Sequence, residues 1–268
     1  MPVRFRFMAL VVLTFGLAAF AHPDCRAAEG RGRILILLSN GADMGDGEAK
    51  NNLWEVAPPY HVFLMHGYEV DFASPTGGRV PFSLDVDETD PPGMISYTLK
   101  HEGFREKVDR SMTPVEVDAS RYAGVFIGGG AGPLFDVAVE PKLLAAVAEI
   151  YENGGVVGGC GHGPGVLANV KLNGGEHLVE GKRVTGFPNS SEATSKWSKQ
   201  GTLLPFLVED GLRRSGAIFL TKEDLPDKHD VVVDQRLVTT MFLPSSALVA
   251  KEMVDLLRTL AAEGVPPR

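Results

Sequence analysis

The 268-residue chain predicts a single-domain α/β fold, a flavodoxin-like sandwich with a mostly parallel sheet and helices on both faces. Three observations carry that expectation. Apolar runs of strand length alternate with helix-length amphipathic segments from residue 33 onward. The first of these runs is continuous rather than alternating, as a strand buried on both faces requires. Two of the strands lead directly into glycine-rich turns, the arrangement that places a site at the carboxyl edge of a parallel sheet.

The elements follow in order. Residues 33–38, Arg-Ile-Leu-Ile-Leu-Leu, form the first strand. A helix is expected over 56–66, with Pro58 and Pro59 tolerated in its first turn and Gly67 at its end. Tyr68 to Ala73 is the second strand. Residues 79–120 are polar and rich in proline and acidic groups, which predicts a surface excursion with short helical pieces. The pattern resumes with a strand over 124–127 that ends in Gly128-Gly-Gly-Ala-Gly132. Lys142 to Glu152 places Leu143, Leu144, Val147 and Ile150 on one helical stripe, and Asn153-Gly154-Gly155 stops it. Val156 and Val157 open another strand that runs into the glycines of 158–165. Strands over 217–220, 231–233 and 237–239 and a closing helix over 245–262 complete the series. With no internal repeat and no low-complexity linker, residues 30–268 read as one domain.

The amino terminus carries a different message. Arg4 and Arg6 form a basic head, 7–20 is apolar and small apart from Thr14, and Ala19-Phe20-Ala21 is a small-x-small exit. This predicts a secretory signal peptide over 1–21, with cleavage as late as residue 28, and a periplasmic or secreted protein. The run falls short of the roughly 20 apolar residues of a membrane span, so no membrane association is expected after cleavage. A formal charge of -8 without a basic cluster argues against nucleic acid and leaves a small molecule, or a second copy in a homodimer, as partner. Two cysteines, Cys25 and Cys160, do not make a disulfide scaffold.

No cofactor and no metal are expected. Gly128 to Gly132 lacks the G-x-G-x-x-G spacing of a dinucleotide site and the lysine of a phosphate loop. The seven histidines show no H-E-x-x-H or paired-cysteine pattern. The stretch 156–167, Val-Val-Gly-Gly-Cys-Gly-His-Gly-Pro-Gly-Val-Leu, has instead the strand, tight turn and helix start of a nucleophile elbow.

At this stretch the chain resembles the ThiJ/PfpI superfamily of class I glutamine amidotransferase-like proteins, whose elbow reads small-small-Val-Cys-His-Gly-Pro. Tyr151 to Val157, Leu134-Phe-Asp136, Glu180 to Phe187, Arg236 to Thr239 and Asp87 to Asp90 resemble its stress-induced chaperone and glyoxalase III branch. The resemblance implies a cofactor-independent conversion of methylglyoxal to lactate, in which a thiolate adds to the aldehyde and neighbouring groups move protons. By motif, His162 matches the elbow histidine, Glu192 the acid that partners it, and Glu55 the glutamate beside the nucleophile. The ordinary alternatives are a turn histidine and two helix-surface glutamates. Backbone around Gly129, Gly130, Ala131, Gly132 and Gly163 would line the ligand cup.

Two positions depart from that pattern. Gly161 stands at the nucleophile position, and Cys160 stands one place early, where strand alternation turns its side chain away from the pocket. Ala131 stands where the branch keeps a histidine. A lesser departure is Thr240-Met-Phe242, where the family more often has a glycine and a polar amide. Three readings follow: a non-covalent or inactive member that binds a small carbonyl or carboxylate compound; an active glyoxalase or deglycase using Cys160; and a holdase chaperone.

Overall fold

A computed structural model describes residues 32–83, 93–225 and 230–264. The leader expected over 1–21 lies outside the described residues, as does the Asp87 to Asp90 motif.

Six strands form the central sheet: β1 (Arg33–Leu37), β2 (Glu69–Ala73), β3 (Tyr122–Ile127), β4 (Val156–Cys160), β5 (Val231–Asp234) and β6 (Leu237–Thr240). Their order across the sheet is β5-β6-β4-β3-β1-β2. All pairings are parallel except the closing β5–β6 hairpin. Three long helices pack on it: α1 (Ala57–Met65), α2 (Pro141–Glu152) and α3 (Ser246–Ala262). The expected fold class is the one observed.

Alternation along the strands separates two cores. Ile34 and Ile36 of β1, with Phe126, Val156 and Val238, face α1 and α3. Leu35 and Leu37, with Val125, Ile127 and Val157, face α2 and the turn after β4. All these side chains are buried, each contributing on the order of 1.5–3 kcal/mol.

The structure extends one element. β4 does not end at Val157 but continues to Cys160, because its glycines are strand residues that make room for neighbours. A Cβ on Gly158 would collide with Met253 Sδ of α3, and one on Gly159 would meet Pro164 at 3.2–3.3 Å. Another element moves. Ile218–Phe219 does not join the central sheet but pairs with Arg183–Val184 as a separate two-stranded parallel ribbon. The β5–β6 hairpin already occupies the edge beside β4, and Asp234 accepts from Arg183 N at 2.9 Å, which docks the ribbon against that hairpin. The 79–120 excursion contains two short helices, Met94–Lys100 and Glu102–Asp109. The second inserts Phe104 against Tyr60 and Phe72.

Candidate functional site

The carboxyl ends of β1, β3, β4 and β6 converge on one edge, and the segments that leave them enclose a cavity of about 270 Å³. Glu55 enters from below. The Asn52 side chain accepts from Trp54 N at 2.9 Å and closes one tight turn, Leu53–Glu55, ahead of α1. That turn leaves Glu55 only 5% exposed, its carboxyl facing the end of β4.

Gly161 explains why the carboxyl fits. Its φ is +58°, the left-handed region that costs any residue with a side chain. Its amide donates to Thr240 O at 3.0 Å, and its carbonyl accepts from Phe187 N at 2.7 Å, so the backbone is held from both sides. A Cβ built there would lie 2.9 Å from Glu55 Cδ and overlap Oε1. Across the slot, a Cβ on Gly129 would lie 2.5 Å from Oε2. Glu55 therefore occupies a space that exists because two facing residues have no side chain.

Cys160 closes the third side. Its side chain is fully buried among the residues that face α1 and α3, and it is not part of the cavity wall. The sulfur nevertheless reaches Glu55: the thiol donates to Oε1 at 3.3 Å and approaches Phe242 O at 3.5 Å. Sequence alternation indicated the burial but not this contact. Burial pushes the thiol pKa well above its ordinary value, and the adjacent Glu55 carboxyl pushes it further. A group held this way is a hydrogen-bond donor near neutral pH rather than a thiolate.

His162 starts the turn after β4 with its ring stacked on Phe187, centroids 4.4 Å apart, and edge-on to Trp197 at 5.6 Å. Its Nε2 meets Glu192 Oε2 at 2.8 Å, both side chains buried. The Ser198 hydroxyl donates to the other Glu192 oxygen and accepts from Gly201 N at 3.0 Å. Burial alone would raise the Glu192 pKa, but the hydrogen bonds from His162 and Ser198 outweigh it and hold the acid below its ordinary value. The result is an imidazole fixed in orientation by an ionised carboxylate.

The structure thus brings Glu55, Gly161, His162 and Glu192 together, with Cys160 behind them. Glu55, His162, Gly130 and Ala131 border the cavity, together with Trp197 and Met241. Gly129, Gly132 and Gly163 do not line it. They act through absent side chains: a Cβ on Gly163, for instance, would lie 2.5 Å from Ile127 O. The Gly132 amide is taken by Lys50 O at 3.0 Å and is not aimed at a ligand. Sequence reasoning missed Ser198 and Trp197. Ser198 carries no motif, and only folding brings it to Glu192. Among the described residues, no three His, Cys, Asp or Glu side chains converge to hold a metal ion.

The family model described as the DJ-1/PfpI family matches residues 48–256. The chain belongs to the DJ-1/PfpI family. Within the curated DJ-1/PfpI relatives, it is 32% identical over 238 residues to a glutathione-independent glyoxalase of Saccharomyces cerevisiae, covering 84% of this chain and 98% of that one. It is 28% identical over 206 residues to glyoxalase 3 of Candida albicans, covering 75% and 86%. The crystal structure of glyoxalase III from Candida albicans superposes with a TM-score of 0.72 at 24% identity, covering 84% and 97%, which shows the shared fold.

These relatives correct the expected location. The chain aligns along nearly the whole length of the Saccharomyces cerevisiae glyoxalase and over 99% of a glutathione-independent glyoxalase of Schizosaccharomyces pombe. Nothing in those matches indicates export, and the periplasmic or secreted assignment does not stand. The basic head, the apolar run over 7–20 and the small-x-small exit have the pattern of a leader, and that pattern alone carried the reading.

Proposed function

We propose that this glyoxalase III-like protein binds small carbonyl compounds without capturing them covalently. One observation carries the reading. The elbow position is Gly161, and the direction its side chain would take is filled by the Glu55 carboxyl. The family's chemistry needs a low-pKa thiol at that point. Cys160 is a poor substitute, being fully buried, outside the cavity wall and held as a thiol. The surviving groups, an oriented imidazole and a carboxyl at the base of a small cavity, suit polar recognition of a carbonyl or carboxylate of a few carbons.

Ligand-observed NMR with hydroxyacetone and pyruvate tests binding, with His162→Ala as the site control. Binding by the wild type that weakens at least fivefold in His162→Ala is the expected result. Lactate formation from methylglyoxal, measured in parallel, should be the same for wild type and Cys160→Ser. Turnover that Cys160→Ser destroys in a folded protein would make Cys160 the nucleophile and overturn the reading.

A further inference from the structure

We infer that Lys50 and Asn52 select short 2-oxo carboxylates, molecules of the pyruvate kind, over neutral carbonyl compounds of the same size. The inference rests on the carbonyl-binding reading and narrows its ligand to one chemical class. It starts from the segment ahead of the Leu53–Glu55 turn. The backbone there is extended through Asn51–Asn52, which pairs in parallel with Phe82–Ser83. Side chains of an extended chain alternate in direction. Asn51 points into the protein, where its amide exchanges hydrogen bonds with the Ser39 backbone and donates to Pro81 O at 2.9 Å. Lys50 and Asn52, one residue to either side, both border the cavity. The backbone that carries them is fixed, because Gly132 N donates to Lys50 O at 3.0 Å and Asn52 N donates to Gly129 O at 2.9 Å. The glycine turn after β3 permits that approach: a Cβ on Gly130 would collide with Lys50 O and Asn52 N.

The two side chains supply what a carboxylate needs. Asn52 is only 7% exposed, and its Oδ1 accepts from Trp54 N, which fixes the orientation of the amide. Its NH2 has no partner among the described residues and is left to donate into the cavity. A donor so nearly buried is normally satisfied, so this one points to a ligand acceptor. Lys50 supplies the charge, being the one lysine or arginine among the described residues that line the cavity. Its ammonium meets Glu48 Oε2 at 2.6 Å, with side chains 33% and 67% exposed, so solvent screens the pair. An ammonium has three protons to donate, and a ligand carboxylate can take one while Glu48 keeps another. One oxygen of that carboxylate meets Lys50, the other meets the Asn52 amide. Glu55 presents its carboxyl oxygens at the end of β4, which keeps the ligand's own charge on the Lys50 side. Phe187, Trp197 and Met241 bring no charge to the wall and suit a short alkyl tail. A neutral carbonyl leaves Lys50 to Glu48 and gains the Asn52 donor alone, which is the basis of the discrimination.

Pyruvate and pyruvamide match in size and differ in charge, so their Kd values for the full chain test the assignment, measured by ligand-observed ¹H NMR titration at low salt. The wild type should bind pyruvate about tenfold more tightly, the scale of one charge-assisted hydrogen bond. Added salt should erode that preference. Lys50→Met should bring the ratio of the two Kd values close to one, and Lys50→Arg should keep most of it. Asn52→Asp retains an acceptor for Trp54 N but exchanges the NH2 for a second acceptor, and should also remove the preference. Circular dichroism reports folding. Equal wild-type affinities, or a pyruvate preference that survives in folded Lys50→Met, overturn the carboxylate assignment and leave carbonyl binding standing. No binding of either compound overturns both. If a variant does not fold, the wild-type ratio and its salt dependence decide.

Discussion

Adding one methyl group at Gly161 should destabilise the protein through Glu55. In Gly161→Ala the backbone must hold a side chain at φ +58°, which costs about 1–2 kcal/mol. The new Cβ would lie 2.9 Å from Glu55 Cδ, so the carboxyl must swing out of its slot and release the Cys160 thiol. Loss of that hydrogen bond adds about 0.5–1.5 kcal/mol. A total of about 2–3 kcal/mol lowers Tm by roughly 5–10 °C in a chain of this size. A double-mutant cycle with Glu55→Ala separates the two contributions. Once the carboxyl is gone, Gly161→Ala should cost only the backbone part, leaving a coupling of about 1 kcal/mol. Urea unfolding of the four proteins, followed by circular dichroism, measures it. Equal costs of Gly161→Ala in both backgrounds would refute the claim that Glu55 fills the missing side chain's space.

Three further outcomes follow from the titrating groups. Cys160 in the folded wild type should resist iodoacetamide near neutral pH, whereas Gly161→Cys should label, because position 161 faces Glu55 at the base of the cavity. The folded Cys160 thiol is held above its ordinary value of 9.0, so its contribution is complete below that pH and is lost as pH rises beyond it, where the unfolded chain ionises first. Stability at alkaline pH should therefore fall more steeply in the wild type than in Cys160→Ala. Glu192 behaves oppositely. Its folded pKa is depressed, so its contribution is present above the ordinary value of 4.5 and is lost as pH falls through the folded value. Glu192→Gln should cost about 1–3 kcal/mol at pH 7, and its thermal-melt difference from wild type should shrink in acid; a difference that does not change with pH would refute the ionised pairing.

The fold was legible because its signals are local and redundant. Ile34, Ile36, Leu35 and Leu37 announce a strand buried on both faces, and Leu143, Val147 and Ile150 announce a helix stripe. The extent of β4 was harder to read, because Gly158 and Gly159 look like a turn until Met253 and Pro164 are seen occupying the space above them. The ribbon strand Arg183–Val184 is two residues long and too short for any periodicity. At the site, the resemblance to the family's motifs singled out His162, Glu192 and Glu55, and the fold brings His162 to Glu192 and Glu55 to the end of β4. The Ser198 hydroxyl on Glu192 was not singled out, since a serine six residues downstream of a glutamate carries no signal by itself. The hydrogen bond from Cys160 to Glu55 joins residues 105 apart in sequence, and strand alternation could supply only the direction of the sulfur, not what had moved to meet it.

Trp197 gives the molecule an optical probe of its own. The chain has two tryptophans, and Trp197 is 45% exposed at the wall of the cavity with its ring 5.6 Å from that of His162. A molecule entering the cavity changes the polarity around that indole and its approach to the imidazole, so occupancy registers in emission colour and intensity without a label. Replacing Trp54 by phenylalanine would leave Trp197 as the sole tryptophan, and with excitation that selects indole over tyrosine, titrations of colourless few-carbon compounds could then be read in an ordinary fluorimeter.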